Sequence, residues 1–141
     1  MIERPGILYA REPSLDTAEF RRVLVESDLA AIRPVDDEAR LSAMLANAGL
    51  IVTARRASAS RELVGVARGL TDSAWCCYLS EIAVCASAQG LGVGRGLLDE
   101  ARRRLGPEVS LFLASVPAAV GFYERVGMAR VPDVFLFRRA R

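Results

Sequence analysis

The chain has 141 residues, of which 52% are hydrophobic and 26% charged, and this composition predicts one domain over residues 1–141 with a substantial apolar core. All 19 basic residues are arginine, against 17 acidic residues, so the net charge is +2 and neither lysine nor histidine is present. These absences exclude Ser-His and Cys-His nucleophilic pairs, histidine-ligated zinc, lysine Schiff bases and the lysine of a P-loop. Any catalysis must therefore use carboxylate, tyrosine, cysteine, serine or arginine side chains.

Charge, hydropathy and cysteine spacing indicate which cellular location and which partners to expect. The net charge of +2 is too small to indicate a nucleic-acid partner, and no apolar run approaches the roughly 18 residues of a membrane span. The N-terminus has no signal-peptide pattern. Cys76, Cys77 and Cys85 fit neither a disulfide framework nor a CxxC metal site. We therefore expect a cytoplasmic protein with no metal site, no nucleic-acid partner and no membrane partner.

The first fifty residues predict a strand followed by two helices. An apolar run at residues 7–10 is typical of a short strand, and Ser14 is a candidate N-cap for a helix with apolar residues at helical spacing. Asp36 or Asp37 can cap a second helix, and Gly49 is placed as the residue that follows its C-terminus.

From residue 50 onward the sequence is typical of a sheet with alternating helices. Three β-rich runs separated by short loops predict an antiparallel meander, at residues 50–54, 62–70 and 75–84. An amphipathic helix at residues 93–105 follows, then a buried strand, a helix that begins with Pro117, and a last strand, the two strands lying at residues 109–114 and 134–137. The predicted order is β-α-α-β-β-β-α-β-α-β, an α/β fold.

A glycine-rich turn joins the strand at residues 75–84 to the following helix. Such a turn lets the backbone approach a ligand closely, and the free N–H groups at the helix start can bind a phosphate. The glycine spacing does not match the dinucleotide GxGxxG pattern, because Leu97 stands where a third glycine should follow Gly92 and Gly94. The Walker pattern fails as well, since no Gly-Lys-Ser/Thr run exists. Both mismatches count against a fold that binds ATP or NAD.

Two motifs resemble one known family. Residues 89–94 read QGLGVG and match the Gln/Arg-x-x-Gly-x-Gly/Ala turn of the GNAT superfamily of acyl-coenzyme A-dependent N-acetyltransferases. Residues 118–128 read AAVGFYERVGM and look like the A-x-x-F-Y-x-x-x-G-F helix of the same family. The resemblance extends from Trp75 to Met128, and the predicted element order also agrees with the family fold. It implies a mixed, mainly antiparallel central sheet flanked by helices.

The resemblance implies that acetyl-coenzyme A is the cosubstrate. Backbone groups of Ile82 and Val84 would pair with the pantetheine amides, with Ala83 between them, and a backbone N–H near Val84 would meet the thioester oxygen. Backbone N–H groups of the turn would hold the pyrophosphate, and the residues so implied are Gln89, Gly90, Leu91, Gly92, Val93, Gly94 and Arg95. Val116 stands where the family often has asparagine, so one side-chain contact to the coenzyme is missing.

The same resemblance implies two catalytic side chains. Tyr123 occupies the position of the family's tyrosine whose hydroxyl points at the coenzyme sulfur, so it is the candidate general acid; the alternative is a packing role for the ring. Glu81 stands where the histone-acetylating branch of the family has its general-base glutamate. The alternative for Glu81 is a strand carboxylate that faces solvent or an arginine such as Arg68.

The implied function is direct transfer of an acetyl group from acetyl-coenzyme A to a primary amine of a small molecule or a protein. The alternative is a catalytically silent domain that binds acyl-coenzyme A and acts as a sensor. Acidic residues near the entrance would favour a cationic amine, and the candidates are Asp36, Asp37 and Glu38. The apolar strand predicted at residues 134–137 could pair with a second copy, so a homodimer is a further expectation.

Overall fold

The computed structural model describes residues 6–141 and the backbone of residues 2–4. Its centre is a six-stranded sheet in which the strands lie side by side in chain order. The strands are β1 (Ile2–Arg4), β2 (Ile7–Arg11), β3 (Leu50–Arg56), β4 (Leu63–Thr71), β5 (Cys76–Val84) and β6 (Ser110–Phe112). β1 to β5 pair antiparallel and β6 joins β5 in parallel, which confirms the mixed, mainly antiparallel sheet. The sequence pattern did not predict β1.

Four α-helices accompany the sheet: α1 (Thr17–Glu26), α2 (Glu38–Ala46), α3 (Val93–Leu105) and α4 (Val120–Arg125). Short 3-10 turns lie at Leu29–Ile32, Ala86–Ala88 and Pro117–Ala119. None of the helices in the described part of the chain combines the length and apolarity needed to cross a membrane.

Two predicted helix ends differ from the structure. The N-cap of α1 is Asp16 and not Ser14, because the Asp16 carboxylate accepts a hydrogen bond from the N–H of Glu19 at 3.1 Å. The N-cap of α2 is Asp37, one of the two predicted residues. Gly49 does not close α2, whose C-cap is Asn47. A Cβ at Gly49 would lie 2.9 Å from the carbonyl oxygen of Thr71, so the glycine permits close contact between two backbone segments.

Helices cover both faces of the sheet and create two apolar clusters. On one face, called here the α3 face, α3 packs on the central strands through Val93, Leu97 and Ala101. On the opposite α1–α2 face, apolar residues of α1 and α2 pack on the same strands, among them Phe20, Val23, Leu24, Leu41 and Leu45. β3 is buried on both faces over most of its length, as expected for a strand between two helical layers.

The last part of the chain differs most from the prediction. β6 covers only residues 110–112 of the predicted 109–114 and is not fully buried. The strand predicted at residues 134–137 is wrong, because residues 129–141 contain neither helix nor strand. Phe135 and Phe137 in this segment are exposed to 93% and 104% of their reference areas. An apolar run forms a strand only where a neighbouring strand and a packing surface receive it, and this segment has neither here.

Candidate active site

A gap opens beside β5 where its pairing with β6 ends. The two strands pair at only three positions, from Cys76 with Ser110 to Tyr78 with Phe112, whereas β5 continues to Val84. A register shift between β4 and β5 leaves Ser80 as an extra residue, because Arg68 pairs with Glu81 and Gly69 pairs with Leu79. Such a bulge bends its strand. β6 therefore leaves the edge of β5 beyond Tyr78 uncovered, and the gap lies between this free edge and residues 113–116, which follow β6 in the chain.

The backbone of Ile82 and Val84 faces this gap. The N–H of Cys85 donates to the carbonyl oxygen of Val64 on β4 at 2.8 Å. Because backbone groups alternate in direction along a strand, the N–H and C=O of Ala83 also point to β4, and those of Ile82 and Val84 point to the gap. The Val84 carbonyl accepts a hydrogen bond from the side-chain amide of Gln89 at 3.2 Å, which ties the turn to the strand. The structure thus places both strand residues where a pantetheine arm could pair with them.

The glycine turn leaves room for an anion. Gly90 and Gly92 have φ angles of +82° and +77°, a conformation that favours glycine, and a Cβ on either residue would meet no atom within 4 Å. Gly92 is the N-cap of α3 and supplies no capping side chain. The first N–H groups of a helix have no partner within it, and the helix dipole favours negative charge beside them. The open space and the donors together fit a pyrophosphate group.

Two close contacts hold α3 in position, and the sequence analysis missed both. A Cβ at Gly94 would lie 3.2 Å from the ring of Phe122, so this glycine lets α4 rest on the first turn of α3. A Cβ at Gly96 would overlap the ring of Tyr9 on β2. The signal in the sequence was the pair of extra glycines inside a helical pattern, each of which costs helix stability and therefore calls for a packing reason.

Tyr123 lies on α4 beside the gap. Its ring packs edge to face on Phe122, with ring centroids 5.0 Å apart. It lines a cavity of about 310 Å³ together with Tyr78, Leu113 and Ser115, and residues 113 and 115 form the far side of the gap. Burial raises the pKa of the Tyr123 phenol above its usual 10. The side chain is therefore protonated at neutral pH, the state that a general acid requires.

The Glu81 carboxylate is fully buried and accepts four hydrogen bonds. Arg68 donates from Nε to Oε2 at 2.6 Å and from Nη2 to Oε1 at 2.9 Å. Arg33 Nε and the Ser80 hydroxyl donate to Oε1 at 2.7 Å and 2.9 Å. Burial alone would raise the pKa of Glu81, but its hydrogen bonds and ion pairs with Arg68 and Arg33 outweigh burial and lower it. The Arg68 contact that the sequence offered as the alternative is therefore present; three of the four hydrogen bonds end on Oε1 and one on Oε2.

Arginines converge on a second cavity, of about 480 Å³, on the α1–α2 face of β5. We call it the arginine cavity; its arginine lining consists of Arg33, Arg40, Arg68, Arg139 and Arg141. Tyr78 and Glu81 of β5 line it as well, and Tyr78 also lines the cavity of Tyr123. The sequence did not predict this cluster, because its members come from the loop at residue 33, from α2, from β4 and from residues 139–141, which only the folded chain brings together.

The acidic residues considered as an entrance for a cationic amine lie elsewhere. Asp36 forms an ion pair with Arg21 at 3.6 Å, and it lines a different cavity together with Glu38. Asp37 caps α2 through the N–H of Arg40 at 3.0 Å. None of the three lines the arginine cavity. Among residues 6–141, the Cys, Asp and Glu side chains form no group of three that could hold a metal ion.

Comparisons with known proteins agree with this geometry. Residues 30–138 match the family model of the acetyltransferase (GNAT) domain. The uncharacterized N-acetyltransferase ycf52 of Pyropia yezoensis is 28% identical over 92 residues, which are 63% of this chain and 53% of that protein, so the chain spans about half the length of this curated relative.

Solved structures share the fold over nearly the whole chain. A protein from Deinococcus radiodurans R1 superposes with a TM-score of 0.74 at 24% identity, covering 98% of this chain and 94% of that one. The GNAT family acetyltransferase SP0256 of Streptococcus pneumoniae TIGR4 superposes with a TM-score of 0.67 at 19% identity, covering 94% and 99%. At these identities the superpositions show that the fold is shared, and the match to the family model shows family membership. The chain belongs to the GNAT acetyltransferase family.

Proposed function

We propose that this protein transfers an acetyl group from acetyl-coenzyme A to a primary amine of a small molecule or a protein. The observation that carries the proposal is the meeting of three features at the free edge of β5. These are the open glycine turn with its helix N-terminus, the backbone of Ile82 and Val84 facing the gap, and the protonated Tyr123 beside it.

Each feature has a separate task in this proposal. The N–H groups of the turn hold the pyrophosphate, and the free edge of β5 aligns the pantetheine arm. Bound acetyl-coenzyme A supplies an activated acyl group in the form of a thioester. As the amine nitrogen forms its bond to the acyl carbon and the carbon–sulfur bond breaks, the Tyr123 hydroxyl donates its proton to the sulfur.

The reaction also requires a group that removes the proton from the amine. The resemblance implies Glu81 as the base, and that role stays a prediction. The Glu81 carboxylate is fully buried between two arginines, which lower its pKa, and this environment argues against direct proton abstraction by Glu81. The guanidinium groups of the arginine cavity favour the neutral form of a nearby amine, since like charges lower its pKa. We therefore propose that the ammonium form of the amine loses one proton to water before transfer. As the nitrogen joins the acyl carbon it loses a second proton, which water carries to the Tyr123 oxygen that has protonated the sulfur.

Release of free thiol from acetyl-coenzyme A, measured over a panel of primary amines, tests the proposal. We expect amine-dependent thiol release and formation of the N-acetyl product. Calorimetric titration with coenzyme A, ATP and NAD side by side should show binding of coenzyme A alone. Binding of coenzyme A without any transfer would favour the alternative, a silent acyl-coenzyme A sensor.

The thiols fit a cytoplasmic location, which we also propose. Cys76, Cys77 and Cys85 are all free. Burial raises the pKa of the Cys77 and Cys85 thiols to about 11, so both remain protonated at neutral pH. We therefore assign Cys77 and Cys85 a role as small packing residues and not as nucleophiles.

A further inference from the structure

We propose that the arginine cavity binds an anionic group, a carboxylate or a phosphate, carried by the acceptor amine. This inference rests on the proposed function and names the substrate class of the same site. It concerns a small molecule, because a cavity of about 480 Å³ falls in the range of ordinary ligand pockets.

The position of the cavity suits an acceptor. The glycine turn begins α3, which packs on the α3 face of the sheet, whereas the arginine cavity lies on the α1–α2 face. β5 contributes residues to both faces of the sheet, and its free edge forms one wall of the gap. Tyr78 lines both the arginine cavity and the cavity of Tyr123, so the two spaces meet at this residue. An amine anchored in the arginine cavity can therefore reach an acyl group held in the gap.

The charge of the cavity is strongly positive. Five arginines and one carboxylate, Glu81, line it, although the whole chain carries only +2. Glu81 is shared between Arg33 and Arg68, so two guanidinium groups face one carboxylate. The side chains of Arg139 and Arg141 form no ion pair with an Asp or Glu side chain in the part of the chain that the structure describes, and Arg40 donates from Nη2 to the main-chain oxygen of Arg141, the last residue of the sequence, at 3.2 Å. A cationic ligand would be repelled here, and an anionic one would be attracted.

Glu81 acts in this proposal as a positioning residue. Its carboxylate fixes the guanidinium planes of Arg33 and Arg68, and the remaining bonds of Arg33, to the carbonyl oxygens of Ser80 and Ile32, hold that side chain at the wall of the cavity. The Arg33 side chain is 22% exposed and that of Arg68 is 6% exposed. Arg33 uses three of its five N–H donors in these bonds, so two remain for a carboxylate or a phosphate, and a side chain fixed in this way loses little freedom when it binds one.

Matched pairs of acceptors test the proposal with saturating acetyl-coenzyme A. One arm compares amino acids with their own amides, and the other compares O-phosphoethanolamine with ethanolamine. We expect kcat/KM to be at least about tenfold higher for the anionic member of one or both pairs, since a hydrogen bond between a guanidinium group and an anion is stronger than one between neutral groups. The arm that shows the difference identifies the anion. Equal values in both arms, or faster neutral members, would overturn the proposal and leave the acetyltransferase function standing.

Substitutions of the cavity arginines test whether the preference for an anionic acceptor arises in the arginine cavity. Arg33→Gln and Arg40→Gln should reduce the preference for the anionic member about tenfold, mainly through KM, and Arg33→Lys should restore part of it because the charge returns. Arg102→Gln is the matched control for Arg40→Gln, since Arg102 is also an exposed helical arginine but lies on α3, away from the cavity. An unchanged preference in both glutamine variants would contradict the proposal.

If no acetyl transfer is observed, binding measurements still test whether the arginine cavity binds an anion. In that case the proposed function fails, and the protein loaded with coenzyme A is titrated calorimetrically with the same amino acids and with O-phosphoethanolamine. Saturable binding that Arg33→Gln weakens and Arg102→Gln does not would support the anion site. Absence of binding for both classes of anion would overturn it.

Discussion

Two ionisable side chains beside the gap have pKa values shifted in opposite directions by their surroundings. Tyr123 is half-buried, and loss of hydration raises the pKa of its phenol. Glu81 is more deeply buried, yet two arginines outweigh the loss of hydration and lower the pKa of its carboxyl. Both shifts widen the pH range in which the tyrosine is protonated and the glutamate is charged. The tyrosine is thus suited to donate a proton and the glutamate to hold cations.

Replacement of Tyr123 by phenylalanine should remove the proton donor and keep the ring. We expect kcat to fall about a hundredfold, the lower part of the range for a general acid, with little change in coenzyme A affinity. Thiol release and calorimetry measure the two effects. Tyr78→Phe is the control, because it removes a hydroxyl from the same cavity that has no assigned proton transfer. Equal loss of kcat in both variants would contradict the acid role.

Replacement of Glu81 by glutamine should destabilise the protein in a manner that depends on pH. The variant leaves Arg68 and Arg33 without their buried charge partner, so we expect about 3 kcal/mol less unfolding free energy at pH 7. Because the folded-state pKa of Glu81 is lowered, its contribution is present above the ordinary value of 4.5 and is lost as pH falls through the folded-state pKa. The difference between the two proteins should therefore shrink below pH 4.5.

Urea unfolding at pH 7 and at several lower pH values checks this prediction. Glu62→Gln is a suitable control, since Glu62 is 46% exposed and pairs with Arg22 and Arg56 at 3.8 Å and 3.5 Å. An exposed pair of this kind contributes less than about 1 kcal/mol. If the difference in unfolding free energy between wild type and Glu81→Gln stays constant down to low pH, the buried charge pair does not stabilise the fold.

At the scale of elements, α3 has a glycine with positive φ at each end. Gly92 at its start has φ +77° and ψ 15°, a left-handed conformation, whereas Gly106 at its end has φ +83° and ψ 176°, which essentially only glycine adopts. A Cβ at either position would meet no atom within 4 Å, so the cost of replacing either glycine lies in the backbone, and it is larger at Gly106. Their surroundings differ, because only Gly92 belongs to the turn with free N–H groups.

Alanine at these two glycines should separate folding from binding. Gly92→Ala should lower the unfolding free energy by about 1–2 kcal/mol, the cost of a left-handed conformation for a residue with a Cβ, and Gly106→Ala by at least as much, up to about 3 kcal/mol. We expect only Gly92→Ala to weaken coenzyme A binding, because relaxation of the turn moves the donors. Chemical unfolding and calorimetry measure these two quantities. Equal coenzyme A affinity in both variants would place the phosphate site elsewhere.

At the scale of the whole molecule, the apolar surface near the C-terminal end is uncovered. Val131, Val134, Phe135, Leu136 and Phe137 are all exposed large apolar side chains, and β6 forms the edge of the sheet. Contiguous apolar surface on a folded protein commonly marks a contact with another molecule. We expect a second copy of the chain to cover this segment.

A homodimer held by this segment should dissociate when the segment is made polar. The double variant Phe135→Ser and Phe137→Ser should shift the mass measured by light scattering from dimer to monomer. Trp75→Ser is the control, because Trp75 is 76% exposed but belongs to the loop between β4 and β5 and not to the C-terminal segment. A monomeric wild type at every concentration would contradict the expectation.

Local patterns predicted most elements of the fold correctly. The three central strands, α3 and its C-terminal Gly106 follow from β-rich runs, helical spacing and a terminal glycine, which act over a few neighbouring residues. The strand predicted at residues 134–137 failed for the opposite reason. Its apolar pattern was present, but a strand also requires a partner edge, and pairing of distant segments is not encoded in the local pattern.

The sequence by itself determined the family resemblance, the glycine turn and the candidate acid, because these depend on residue type and short spacing. Only the tertiary structure decided what Glu81 does, since Arg33 and Arg68 reach it from segments 48 and 13 residues away. The arginine cavity likewise required the folded chain, which brings together arginines from four segments. The charge of a cavity depends on which side chains meet in space, and this cannot be read from the order of residues along the chain.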